Sequence, residues 1–192
     1  AISHFYISSN FYFKNESWIL HQFFAETSLD QKNLLLQFFK LCDSFKYMIH
    51  FNGDTFDIPY LEKKSSTLHI TSPLRNLKSI DILKQIRPFQ KILGLENCKL
   101  KTIESFLKIN RTDPYTGGEL IKQYLNYCKK PNECLREHLL LHNEEDLYGL
   151  IEILKIYDII TYIQNMLKPH FFMDIVFVQR DNDNLLFSLK TL

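Results

Sequence analysis

The stretch KYMIHFNGDTFDIPYLEKK, residues 46–64, does most to limit the folds open to this chain. Lys46 to Phe51 is short and largely apolar, as a buried strand is. Asn52-Gly53 follows at once and is a strong turn signal. Asp57-Ile58-Pro59-Tyr60-Leu61 then reads as a helix start, because proline suits the first helical turn, where its missing N–H costs no hydrogen bond. A strand that turns straight into a helix is the opening half of a βαβ unit, and chains built from such units belong to the α/β class.

The same reading extends on both sides. Ser3 to Phe13 and Trp18 to Ala25 are rich in aromatic and β-branched residues and predict a hairpin about the polar turn Lys14-Asn15-Glu16-Ser17. Thr27 or Ser28 is expected to cap the next helix, with Asp30 in its first turn. Leu34, Leu35, Phe38, Leu41, Cys42 and Phe45 recur at helical spacing and predict its buried face. Thr67 to Thr71 predicts a short strand, Ser79 to Arg87 a helix stopped by Pro88, and Leu100 to Leu107 another helix. Asn110 to Gly118 is a turn-rich loop, and Glu119 to Cys128 a helix that stops before Pro131. Asn132 is expected to cap a helix starting near Glu133, which continues with a break through Leu147 to Leu167 and ends at Pro169. Phe171 to Leu192 predicts a strand, a polar turn at residues 180–184 and a second strand. The expected architecture is an α/β domain over residues 1–168, with a mixed sheet flanked by helices, and a β-hairpin appendage over residues 169–192.

Bulk properties bound the function. The sequence holds 16 Phe and 10 Tyr but only 5 Gly, so aromatic burial can offset the entropy of ordering and a disordered chain is excluded. A net charge of +1 neither supports nor excludes nucleic acid, since an enzyme that gathers metal-binding carboxylates around a nucleic-acid end can be near neutral. The four cysteines, Cys42, Cys98, Cys128 and Cys134, form no CxxC pair, and reduced thiols in the cytoplasm are the expectation. No run of 18 apolar residues occurs, so no membrane-spanning helix is expected. The chain opens without Met, directly on a β-rich segment, which reads as a fragment or a processed product.

Two acidic segments can carry chemistry. In the first, Asn52, Asp54, Phe56 and Asp57 follow an apolar strand, and ligands of α/β sheets gather at the carboxyl ends of strands. Helix capping by Asp54 and Asp57 is the alternative. In the second, His142-Asn143-Glu144-Glu145-Asp146, the spacing of four places His142 and Asp146 on one helix face. A carboxylate with an imidazole one turn away is a sensible pair for activating a metal-bound water, while a solvated acidic face is the alternative. Arg111 and Asp113 sit in the polar loop, as phosphate contacts or as a loop ion pair. Cys128, Cys134, His138 and His142 form C-x5-C-x3-H-x3-H, a spacing that fits no standard zinc pattern. Lys63-Lys64, Lys99, Lys101 and Lys129-Lys130 are small basic clusters that could track a nucleic-acid backbone or simply face solvent.

FNGDTFDIPYL resembles the second exonuclease motif of the DEDD 3′–5′ exonucleases, which also occurs in the proofreading domains of family-B DNA polymerases. HNEEDLYGL resembles their third motif, with His142 in the tyrosine position. The closer similarity is to the YprB-type ribonuclease-H-like domain of bacteria, through WILHQFFAE, SIDIL and LKTIESFLKINRTDPYTGGELI as well, from about Ser3 to Ile160. The resemblance implies a divalent-metal-dependent phosphodiester hydrolase that acts on DNA or RNA ends with two Mg²⁺ or Mn²⁺ ions. Asp57 and Asp146 take the metal-ligand positions, and His142 takes the general-base position. Asn52, Asp54, Phe56 and Arg111 lie on the substrate side, with Phe56 placed to stack on a terminal base. Asp81, in SIDIL, matches a recurrent position with an expected structural role, as a cap or a hydrogen bond near the site.

One part of the family pattern is missing. Its first motif is an Asp-x-Glu on a central first strand, and no Asp-x-Glu precedes Asp57. Either an upstream segment has been lost or the domain has rearranged. The expectation is a weakly active or inactive polypeptide, with a non-cutting nucleic-acid-binding or protein-interaction module as the alternative function.

Overall fold

The computed structural model describes residues 7–112, 117–167, 173–181 and 184–191. Its strands are β1 (Ile7–Lys14), β2 (Ser17–Phe24), β3 (Tyr47–His50), β4 (Lys78–Asp81), β5 (Met173–Asp181) and β6 (Asn184–Thr191). Its α-helices are α1 (Gln31–Cys42), α2 (Asp57–Thr67), α3 (Ile82–Ile86), α4 (Leu100–Phe106), α5 (Gly117–Lys129), α6 (Glu133–Glu152) and α7 (Ile156–Met166). The chain is therefore mixed α/β and mostly helical. Among the described residues the strands form three separate pairs, β1–β2, β3–β4 and β5–β6, where one mixed sheet was expected. β3 and β4 run parallel. Lys78 donates its N–H to the Lys46 carbonyl at one end, and the Asn52 N–H reaches the Asp81 side chain at the other. The helix between them, α2, is the crossover that a parallel pair requires.

The β1–β2 hairpin forms where expected. Lys14 pairs with Ser17, leaving a two-residue loop in which Asn15 (φ 50°) and Glu16 (φ 61°) are both left-handed. That is the turn whose twist matches paired strands, and asparagine tolerates it better than most residues. The second hairpin, β5–β6, is antiparallel as expected, while its turn residues 182 and 183, and Pro169, lie outside the described residues.

Three local expectations are corrected. Neither Thr27 nor Ser28 caps α1. Asp30 holds the cap position, and its carboxylate turns back to accept the Thr27 N–H and hydroxyl, each at 2.8 Å. Thr67 to Thr71 is not a strand but the end of α2. His69 (φ 55°) donates to the Ser66 carbonyl at 3.1 Å and Ile70 to the Ser65 carbonyl at 2.9 Å, closing a Schellman cap. Ser79 to Asp81 is not helical but the end of β4. The helix begins only at Ile82, and Pro88 sits within the short 3-10 turn Arg87–Phe89.

The described chain falls into two compact units, one from residues 1–48, 53–80 and 111–148, the other from 49–52, 81–110 and 149–192. In the first unit, Leu34, Leu35, Phe38, Phe39 and Cys42 of α1 pack with Ala25, Leu61 and Leu74. A second cluster joins Leu120, Tyr124 and Tyr127 of α5 to Leu139 of α6, with Phe24 edge-on to both tyrosine rings. The Tyr124 hydroxyl donates to the Ala25 carbonyl at 3.0 Å, and burial pushes its ionisation far up. In the second unit, Ile82, Ile86, Leu93, Ile103, Ile153, Ile156 and Ile163 form the core. Full burial of one such side chain contributes about 1.5–3 kcal/mol. Gly149 of α6 leaves room there for the buried Glu104, whose Oε1 would lie 2.1 Å from a Cβ and would have to shift.

Candidate functional site

The first acidic segment is shaped by one aspartate. Asp81 closes β4 and caps α3, so its carboxylate lies where strand becomes helix. Its Oδ1 accepts the Leu83 N–H at 3.1 Å and the Asn52 N–H at 2.9 Å, so the expected cap and the expected hydrogen bond are both present. The second bond anchors Asn52, which is left-handed at φ 60°, and so sets the direction in which the chain leaves β3. Asp81 is buried, and its Oδ2 has no hydrogen-bond partner among the described residues; His50 Nδ1 lies 3.9 Å from it.

Asp54 accepts the Ser79 hydroxyl at 2.5 Å. It does not cap α2: the cap position belongs to Phe56, which makes no side-chain cap bond, and Asp57 is the first residue of the helix, where the macrodipole favours its charge. Asp57 faces solvent, as does the Phe56 ring at 64% exposure.

His50 and Asp81 could each offer one ligand atom to a metal ion, Nδ1 and Oδ2 lying 3.9 Å apart. Carboxylate oxygens suit Mg²⁺ and Mn²⁺, an imidazole shifts the preference toward Mn²⁺, and a buried carboxylate oxygen without a hydrogen bond is a fitting donor. His50 went unassigned in the sequence. The signal that could have found it is its place at the carboxyl end of an apolar strand, where α/β folds gather ligands.

The second segment lies on α6, which Asn132 caps as expected, accepting the Leu135 N–H at 3.1 Å. The His142 and Asp146 side chains meet, with Nε2 3.3 Å from Oδ2. Arg111 joins them from the loop: its Nη2 is 2.6 Å from Asp146 Oδ1, and its Nε is 3.7 Å from Glu145 Oε2. Arg111 thus pairs with acids of α6, a partner choice the loop sequence did not indicate. Thr112 donates both its N–H and its hydroxyl to Glu145 Oε1, and Asp113 lies outside the described residues. From the other side, Gln22 of β2 donates to the Leu140 carbonyl at 2.9 Å and to Asn143 Oδ1 at 3.0 Å, fixing this turn of α6 to the hairpin.

Burial would push the Asp146 carboxyl up. The hydrogen bond and charge of His142, and those of Arg111, outweigh it and hold the carboxyl below the usual carboxylate range. Both Asp146 oxygens are thus engaged, and a divalent ion there would compete with Arg111 and His142. The cysteine–histidine run makes no metal group among the described residues: Cys134 Sγ is 4.0 Å from His138 Nε2, and His142 belongs to Asp146. No helix among the described residues is long and apolar enough to cross a membrane.

A family model described as the RNase_H superfamily matches residues 3–157, a span that holds both acidic segments. No curated protein and no solved structure matches the chain.

Proposed function

Because this chain belongs to the RNase_H superfamily, we propose that it is a divalent-metal-dependent nuclease-type domain that acts on nucleic-acid ends, of the 3′–5′ exonuclease kind. The observation that carries the reading is the superfamily match, which encloses the segment around Asp57 and the segment around Asp146 in the order a DEDD-type site needs. The His50 and Asp81 pair adds support, since it offers N and O donors of the kind divalent ions take.

In this reading Asp57 and Asp146 are metal ligands. A bound divalent ion would lower the pKa of the attacking water and stabilise the leaving oxygen. His142 would accept the water proton, and Asp146, with Oδ2 3.3 Å from the imidazole Nε2, would fix the orientation of the ring. Asn52 and Asp54 line the approach to α2, and the exposed Phe56 ring offers a terminal base a stacking surface. Arg111 supplies a guanidinium for phosphate.

A second reading, a module that binds nucleic acid or a protein partner without cutting, is favoured by one observation: Arg111 already neutralises Asp146. The deciding assay follows 3′- and 5′-labelled single-stranded DNA and RNA with Mn²⁺, beside Asp57→Ala and Asp146→Ala. Nuclease function predicts metal-dependent shortening from the 3′ end, reduced at least about a hundredfold in either variant. A folded chain that binds the strands but leaves them intact belongs to the second reading.

A further inference from the structure

We propose that Arg111 is an exchangeable counter-ion: it holds Asp146 in the resting chain and passes to a nucleic-acid phosphate when a divalent cation takes its place. The inference rests on the nuclease reading above. It starts from an asymmetry in exposure. The Arg111 side chain is 10% exposed, whereas the Asp146 side chain it neutralises is 40% exposed. The carboxylate is open to ions from solution while its counter-charge is held from behind.

The loop that carries Arg111 is tied down independently of that ion pair. Thr112 bonds Glu145 through both its N–H and its hydroxyl, so the guanidinium can change partner without the loop leaving α6. Glu145 Oε2, at 3.7 Å from Arg111 Nε, keeps a second anion beside the guanidinium during the exchange.

The chemistry then fixes what can replace each partner. Asp146 has Oδ1 on Arg111 and Oδ2 on His142, so a cation that coordinates Oδ1 competes with the guanidinium for the same negative charge and repels it. A mostly buried guanidinium that exchanges its 2.6 Å carboxylate contact for the Glu145 oxygen at 3.7 Å loses much of its charge compensation. A phosphate oxyanion restores it, because the planar fork of arginine fits phosphate as well as it fits carboxylate. Cation and phosphate therefore bind together, each raising the affinity for the other by the same factor, as linkage requires.

The test is calorimetric titration of the full chain with Mn²⁺, in the absence of nucleic acid, for the wild type, Arg111→Ala and the double variant Arg111→Ala/Asp146→Asn. Arg111→Ala is expected to bind Mn²⁺ about tenfold more tightly than the wild type. The double variant is expected to lose that gain, which separates this site from any other ion bound by the chain. A second arm measures binding of a hydrolysis-resistant phosphorothioate oligothymidylate with and without Mn²⁺. The wild type is expected to show coupling of about tenfold and Arg111→Ala almost none. Thermal melting checks each fold, and Arg111→Gln replaces the alanine variant if that one unfolds. Unchanged Mn²⁺ affinity on losing Arg111, or a gain that survives Asp146→Asn, overturns the proposal. Absence of oligonucleotide binding in every arm counts against the nuclease reading instead, and leaves the metal arm to decide the counter-ion.

Discussion

Asp81 and Asp146 are the same residue type, and the chain satisfies them in opposite ways. Asp81 is buried and meets dipoles: two backbone N–H groups share Oδ1, and Oδ2 keeps no hydrogen bond among the described residues. Asp146 is partly open and meets a guanidinium on one oxygen and an imidazole on the other. Dipoles organise a turn through one oxygen and leave the other without a hydrogen bond, whereas at Asp146 each oxygen faces a side chain that can carry positive charge. A carboxylate's distance from the expected motif is thus a poor guide to whether it can still take a cation. Asp146 fits the motif and is occupied, while Asp81 was expected to be structural and has an oxygen to spare.

The comparison predicts its own failures. The largest effect should come from Asp81→Ala, which strands the Asn52 and Leu83 N–H groups and removes the cap of α3. A loss of about 3 kcal/mol is expected in urea unfolding, with Asp81→Asn much milder because its amide oxygen can still accept both bonds. Equal losses for the two variants would mean that charge, not the acceptor, matters at that turn.

Asp146→Asn should cost less, about 0.5–1 kcal/mol at neutral pH, because the side chain is 40% exposed and its ion pairs are screened. Its pH dependence is the sharper check. The folded pKa is depressed, so the stabilisation is complete above the unfolded value of about 3.9 and is lost as pH falls through the lower folded value. The gap between wild type and Asp146→Asn should therefore close in acid, and a gap independent of pH would refute the ion pairing. Smallest of all, Thr112→Val should cost about 0.5 kcal/mol, since it deletes one exposed hydroxyl bond to Glu145 and keeps the N–H bond.

Sequence patterns reached the hairpins, the buried face of α1, β3, the cap at Asn132 and the break between α6 and α7, because each rests on residues adjacent in the chain. They failed where two elements share residues. Ile80, Leu83 and Ile86 have helical spacing, so Ser79 to Asp81 reads as the start of a helix. β4 is four residues long, too short to show alternation, and its last residue is also the cap of α3. Thr67 to Thr71 carries β-forming residues, but the hydrogen bonds of the α2 terminus claim them first. In the candidate site, the His142–Asp146 pair was legible from a spacing of four. Its bond to Arg111 was not, because it joins residues 35 apart through a loop with no periodic pattern.

The Schellman caps carry one more consequence. Left-handed residues at helix ends are usually glycine, yet α2 uses His69 and α4 uses Lys108 (φ 57°), whose neighbour Ile109 donates to the Glu104 carbonyl at 2.8 Å. Each costs the folded state about 1 kcal/mol in backbone sterics. A side chain at those positions also restricts the denatured chain, by about 0.4–1 kcal/mol relative to glycine. The two terms nearly cancel, so a protein with five glycines can reverse direction at its helix ends without enlarging the ensemble from which it must fold.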